Sequence, residues 1–164
     1  MKKFIKENVK KNQLKSYLLA AATGALLFGF TGIAEVEASQ TMHKSIKVQN
    51  QDIFYREAGN EHKETIVLLH GFPTSSHMYR DLIPKLSEKY HVIAPDYPGF
   101  GNSSMPALNE FEYSFDNLAN ITDAFLEKVG AEEYTMYVMD YGAPIGFRIA
   151  VEHPERVQGL IIQN

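Results

Sequence analysis

The 164 residues include no cysteine and no tryptophan. Without cysteine there is no disulfide, no thiolate nucleophile, no cysteine-ligated zinc and no lipid-modified cysteine. Stability is left to packing. Also missing are an H-E-x-x-H zinc helix, a phosphate-binding loop and a G-x-G-x-x-G turn, so neither a metal nor a nucleotide cofactor is expected. Positive charge is scarce as well. The chain carries 16 Lys and Arg against 20 Asp and Glu, a net charge of −4. Six of those basic residues and three of the acids lie in residues 1–38, so the remainder carries −7. That is the wrong sign for binding nucleic acid or an anionic membrane.

What is present begins with a segment unlike the rest. MKKFIKENVKKNQLKSY has six lysines and one acid, and LLAAATGALLFGFTGIA (18–34) has no charge. Val36 and Ala38 then occupy the −3 and −1 positions of a small-residue cleavage site. Basic, apolar and small-residue parts in that order predict a secretory signal over residues 1–38, and hence export. Left uncleaved, residues 18–34 would instead be a short membrane anchor. Contact with a membrane is expected only in that case.

Residues 39–164 form one predicted domain, since 45% hydrophobic content is ample for a core. SIKVQNQDIFYRE (45–57) alternates apolar and polar residues around Asn50-Gln51-Asp52, the pattern of an exposed antiparallel hairpin. TIVLL (65–69), HVIA (91–94), YTMYVM (134–139) and GLII (159–162) are instead continuous apolar runs, as strands covered on both faces require. Helices are predicted between them. One covers 76–86, with Pro84 kinking or ending it; a second is capped by Ser114 and stopped at Gly130; a third covers 143–152 and stops before Pro154. The alternation predicts an α/β fold with a mainly parallel sheet and an N-terminal antiparallel hairpin. HGFPTSS, DYPGFGNSS and DYGAP each follow a strand, and the carboxyl ends of parallel strands are where such sheets bind ligands.

Among these loops, VMDYGAP places Asp140 where a strand turns into a helix, with small residues Gly142 and Ala143 beside it and Gly146 one turn on. Two roles compete for that carboxylate. It can cap the helix, as aspartate often does. It can also be a nucleophile on a tight elbow, the position serine takes in esterases. Pro144 favours the second, because proline suits the first helical position and would move the cap to Ala143. Ser103 lacks the second glycine of G-x-S-x-G, since Met105 stands there, and is expected to be a loop residue. Asp96 is expected to hold its loop, and His153 to satisfy carbonyls at a helix end.

The three loops, in this order and spacing, resemble the α/β-hydrolase fold, in its branch with an aspartate nucleophile. Haloalkane dehalogenases and α/β-fold epoxide hydrolases belong to that branch. The resemblance implies a small-molecule substrate and an ester formed between Asp140 and a carbon bearing halide or epoxide oxygen. It implies oxyanion donors at the amides of Phe72 and Tyr141, and supporting roles for His70, Gly71 and Gly142, with no metal. Dehalogenases usually carry a tryptophan after the nucleophile, and many carry an asparagine after His-Gly; their N–H groups hold the halide. Here Tyr141 and Phe72 stand instead, and phenylalanine has no side-chain donor, so the two activities are not separated. After GLIIQN the family pattern continues into a cap, two strands, an acid and a histidine base. The resemblance therefore extends to the N-terminal half alone. As written, the chain is expected to lack the base and full turnover. The alternative is an inactive exported fragment that associates with a partner, or a missing half, through an exposed sheet edge.

Overall fold

A computed structural model describes residues 40–163. The predicted signal at 1–38 lies outside the described residues. Alternating residues build a hairpin of β1 (Met42–Val48) and β2 (Gln51–Ala58), paired antiparallel from Met42↔Glu57 to Val48↔Gln51. Its turn is Gln49-Asn50, at φ 47° and 68°, rather than the expected Asn50-Gln51-Asp52. Two central residues with positive φ match the right-handed twist of the flanking strands.

The apolar runs become β3 (Thr65–Leu69), β4 (His91–Pro95), β5 (Tyr134–Met139) and β6 (Val157–Gln163). With the hairpin they form one six-stranded sheet in the order β1-β2-β4-β3-β5-β6. β3 pairs parallel with β4 and β5, and β5 with β6, while β2 meets β4 antiparallel. The predicted α/β class with a mainly parallel sheet is what the structure has. All five residues of β4 are buried, which explains why its sequence does not alternate.

Three α-helices complete the described fold. The region read as one helix over 76–86 is a 3-10 turn (Ser76–Tyr79) followed by a short α1 (Ile83–Ser87). Pro84 sits in the first turn of α1 and so begins the helix that it was expected to kink or end. There its missing N–H costs nothing, whereas deeper in a helix it would break a hydrogen bond. α2 (Phe115–Lys128) starts at Ser114, whose Oγ accepts the Asn117 N–H. Its buried residues Leu118, Ile121, Thr122, Phe125 and Leu126 recur at helical spacing. α3 (Gly142–Glu152) presents Gly142, Ile145, Gly146 and Ile149 to the sheet.

These helices divide the core. Phe125, Leu126, Ile145 and Ile149 pack with Val67, Leu69, Met136 and Val138 on one face of the sheet. Leu68, Tyr79, Ile83, Val92 and Ala94 form a smaller cluster on the other. Because β3, β4 and β5 are held between two apolar layers, the loops leaving their carboxyl ends start from a packed base.

Candidate active site

Asp140 follows β5 directly and takes φ +47°, a left-handed conformation rare for a side chain with a Cβ. Aspartate tolerates it better than most residues. The reversal needs close approach: a Cβ on Gly142 would lie 2.3 Å from Leu69 O, so only glycine fits. α3 begins at Gly142 with Tyr141 as its cap, which makes Pro144 the third helical residue. The inference from Pro144 to a cap at Ala143 is therefore wrong in detail. Asp140 nonetheless stands one residue before the cap.

Its carboxylate is fixed by backbone. Oδ1 accepts the Phe72 N–H at 2.8 Å and the Tyr141 N–H at 2.7 Å. These two donors hold the Asp140 carboxyl below the usual aspartate range although it is exposed. No hydrogen bond to Oδ2 occurs among the described residues, so one oxygen is anchored and the other is free. Phe72 reaches Asp140 because Gly71 lets the loop come close; a Cβ there would lie 2.7 Å from Asp140 Cβ.

The two neighbouring loops are locked together by Asp96, which is fully buried. Its Oδ1 accepts the Ser76 N–H at 2.7 Å and its Oδ2 the Asn102 N–H at 2.9 Å. Ser103 donates to Asp96 O and accepts the Phe54 N–H, so its hydroxyl is spent on the loop. Both residues therefore occupy loop-holding positions. The sequence did not signal that Asp96 also reaches back to Ser76.

Aromatic rings line the approach to Asp140. The Phe72 and Tyr141 rings lie 5.3 Å apart at 30°, and Phe100 and Phe115 meet Tyr141 edge-on at 6.3 and 5.0 Å. Phe72 is 58% exposed and Tyr141 36%. These rings form an apolar wall whose hydroxyl, on Tyr141, is its one side-chain donor.

All six histidines lie within the described residues, and none is hydrogen-bonded to Asp140. His70, fully buried, contacts Gly71 O and the Tyr97 N–H, and burial pushes its pKa down. His91 pairs with Glu57. The His153 imidazole lies 3.2 Å from Asp123 and 3.5 Å from Glu155, so it bridges carboxylates instead of capping carbonyls with its ring. Elsewhere, an open groove of about 430 Å³ runs between α2 and α3. Its Asp116 and Arg148 are paired with each other.

The family model described as alpha/beta hydrolase fold matches residues 64–164. An uncharacterized hydrolase of Saccharomyces cerevisiae is 47% identical over 121 residues, covering 72% of this chain and 41% of that protein. Haloalkane dehalogenase 2 of Mycobacterium tuberculosis is 39% identical over 99 residues, 60% of this chain and 34% of the enzyme. The solved structure of an epoxide hydrolase mutant from Vigna radiata superimposes with a TM-score of 0.69 at 26% identity, over 75% of this chain and 38% of the enzyme. The chain thus spans about a third to two fifths of the length of the curated relatives it matches.

Proposed function

Because the chain belongs to the alpha/beta hydrolase fold family, we propose that it carries the nucleophile of a hydrolase that acts through an ester on Asp140. The observation that carries this reading is the asymmetric carboxylate, with Oδ1 held by two amides and Oδ2 unbonded. Serine would need a base to attack; aspartate is already ionised near neutral pH. Oδ2 donates an electron pair to a saturated carbon while the bond from that carbon to halide, or to an epoxide oxygen, breaks. Halide leaves as the anion, and an epoxide oxygen takes up a proton from water. The product is an ester between Asp140 and the substrate.

Hydrolysis of that ester places negative charge on its former carbonyl oxygen. With Oδ1 in that role, the charge develops where the Phe72 and Tyr141 amides already point, the geometry of an oxyanion hole. The attacking water also needs a base, and no histidine of these 164 residues is bonded to Asp140. In a serine triad enzyme, loss of the base alone costs on the order of a millionfold. The chain by itself is therefore a single-turnover alkyl acceptor.

Incubating the exported chain with 1-bromohexane and, separately, with styrene oxide tests this. About one equivalent of bromide or of covalent adduct is expected, and none from Asp140→Asn. Continuous product release from the purified 164-residue chain would refute the single-turnover part. Export itself is read from the charge pattern of residues 1–38. A mature chain beginning at Ser39 supports it, and an intact Met1 in the secreted fraction counts against it.

A second reading has its own observation. β6 is an edge strand whose Leu160, Ile161 and Ile162 are 40, 48 and 61% exposed. An unpaired apolar edge accepts a further strand, and the partner this reading commits to is a polypeptide carrying the histidine base. Mixing the chain with the remaining portion of a full-length relative then restores turnover; failure of the two to associate removes this reading and leaves the first intact.

A further inference from the structure

The Phe72 amide is held only in part by its own loop, where the Thr74 N–H reaches Gly71 O at 3.3 Å. Gly71 is required for space beside Asp140, yet glycine leaves the backbone free to rotate. A peptide unit is planar, so the Gly71 carbonyl and the Phe72 N–H point in opposite directions from one rigid plate. Whatever holds Gly71 O therefore aims the Phe72 N–H. In this structure His70 Nδ1 donates to Gly71 O at 2.9 Å, while the Phe72 N–H meets Asp140 Oδ1 at 2.8 Å.

His70 is in turn held by Tyr97 in three ways. The Tyr97 N–H points at Nε2 at 3.4 Å, which leaves the proton on Nδ1, where Gly71 O needs it. The Tyr97 hydroxyl donates to His70 O at 3.2 Å, and the two rings stack with centroids 4.2 Å apart. One residue earlier, the Tyr79 hydroxyl donates to Leu69 O at 2.9 Å. Three successive carbonyls are thus tied down, by Tyr79, Tyr97 and His70, and these side chains are 3, 1 and 0% exposed. With water excluded, no solvent donor replaces a bond that is lost, and at Gly71 O only the longer Thr74 contact would remain.

We propose that Tyr97 is a positioning residue for the chemistry at Asp140, acting through His70 and the Gly71–Phe72 peptide plane to aim the Phe72 amide at the anchored carboxylate oxygen. The proposal rests on Asp140 being the nucleophile, but its test does not depend on any adduct. In the full chain, Tyr97→Phe removes one hydroxyl, and His70→Phe removes the donor while keeping a ring.

Both variants should speed exchange of the Phe72 amide about fivefold, the equivalent of one hydrogen bond of about 1 kcal/mol. Both should also raise the Asp140 carboxyl titration, followed by NMR, toward that of free aspartate. Tyr113→Phe is the control, because its hydroxyl serves Pro106 O in another loop. It should move neither readout, which separates positioning from a general loss of stability. Unchanged Phe72 exchange and Asp140 titration in a folded variant would overturn the proposal, as would equal changes in the control. If neither variant folds, the wild-type chain decides: Phe72 exchange as fast as in a free peptide of residues 68–76 overturns it. Absence of an alkyl adduct with these shifts intact would refute only the nucleophile reading.

Discussion

Asp140 combines a costly backbone with an inexpensive charge. Its positive φ is tolerated because Gly142 lets α3 start hard against Leu69 O, and its carboxylate is stabilised by two amides rather than by burial. Those amides lower its pKa, which fixes the sign of the pH dependence. In the proposed reaction the reactive form is the carboxylate, present above the folded-state value and lost as pH falls through it. Alkylation rate should therefore be flat through neutral and mildly acidic pH, and should decline only below the ordinary aspartate value of about 3.9. A midpoint above that value, measured by adduct formation against pH, would contradict the two-amide geometry. The elbow at Asp140 and Gly142 was legible in the sequence because a sharp turn demands small residues at particular spacings, whereas Gly71 came only with the family resemblance. Tyr79 and Tyr97 were not legible. Their partners are backbone carbonyls 10 and 27 residues earlier, and a carbonyl leaves no mark on sequence.

The elements divide in the same way. β3, β4, β5 and α2 were legible because burial on both faces, or on one helical stripe, fixes the hydrophobic pattern directly. The hairpin turn was misplaced because Gln49, seldom found at positive φ, gives no hint that it is a central turn residue. The 76–86 helix was misread because apolar spacing alone does not say whether a proline opens a helix or closes one. α2 packs its apolar stripe into the core on one face of the sheet. Its Phe125 is fully buried and meets Tyr55 edge-on at 5.0 Å. Phe125→Ala should cost about 3–5 kcal/mol, read by urea unfolding. A loss below about 1 kcal/mol would mean that this part of the core closes over the void.

At the scale of the whole molecule, the sheet differs between its centre and its edge. Its centre, between two apolar layers, fixes the loops that meet at Asp140. Among the described residues, β6 is an edge strand that exposes Leu160, Ile161 and Ile162. Asp123 and Arg156, paired at 2.8 Å, tie α2 to the segment that leads into β6, and Arg156 also lies 5.5 Å over the Tyr134 ring. The chemistry proposed for the centre is a covalent event at one atom, so it can be read directly. After exposure to 1-bromohexane, proteolysis and mass mapping of the 164-residue chain should find one hexyl group, on Asp140, retained over hours at neutral pH. A folded sample with no hexyl group on Asp140, or with the group distributed over other carboxylates, would contradict the account.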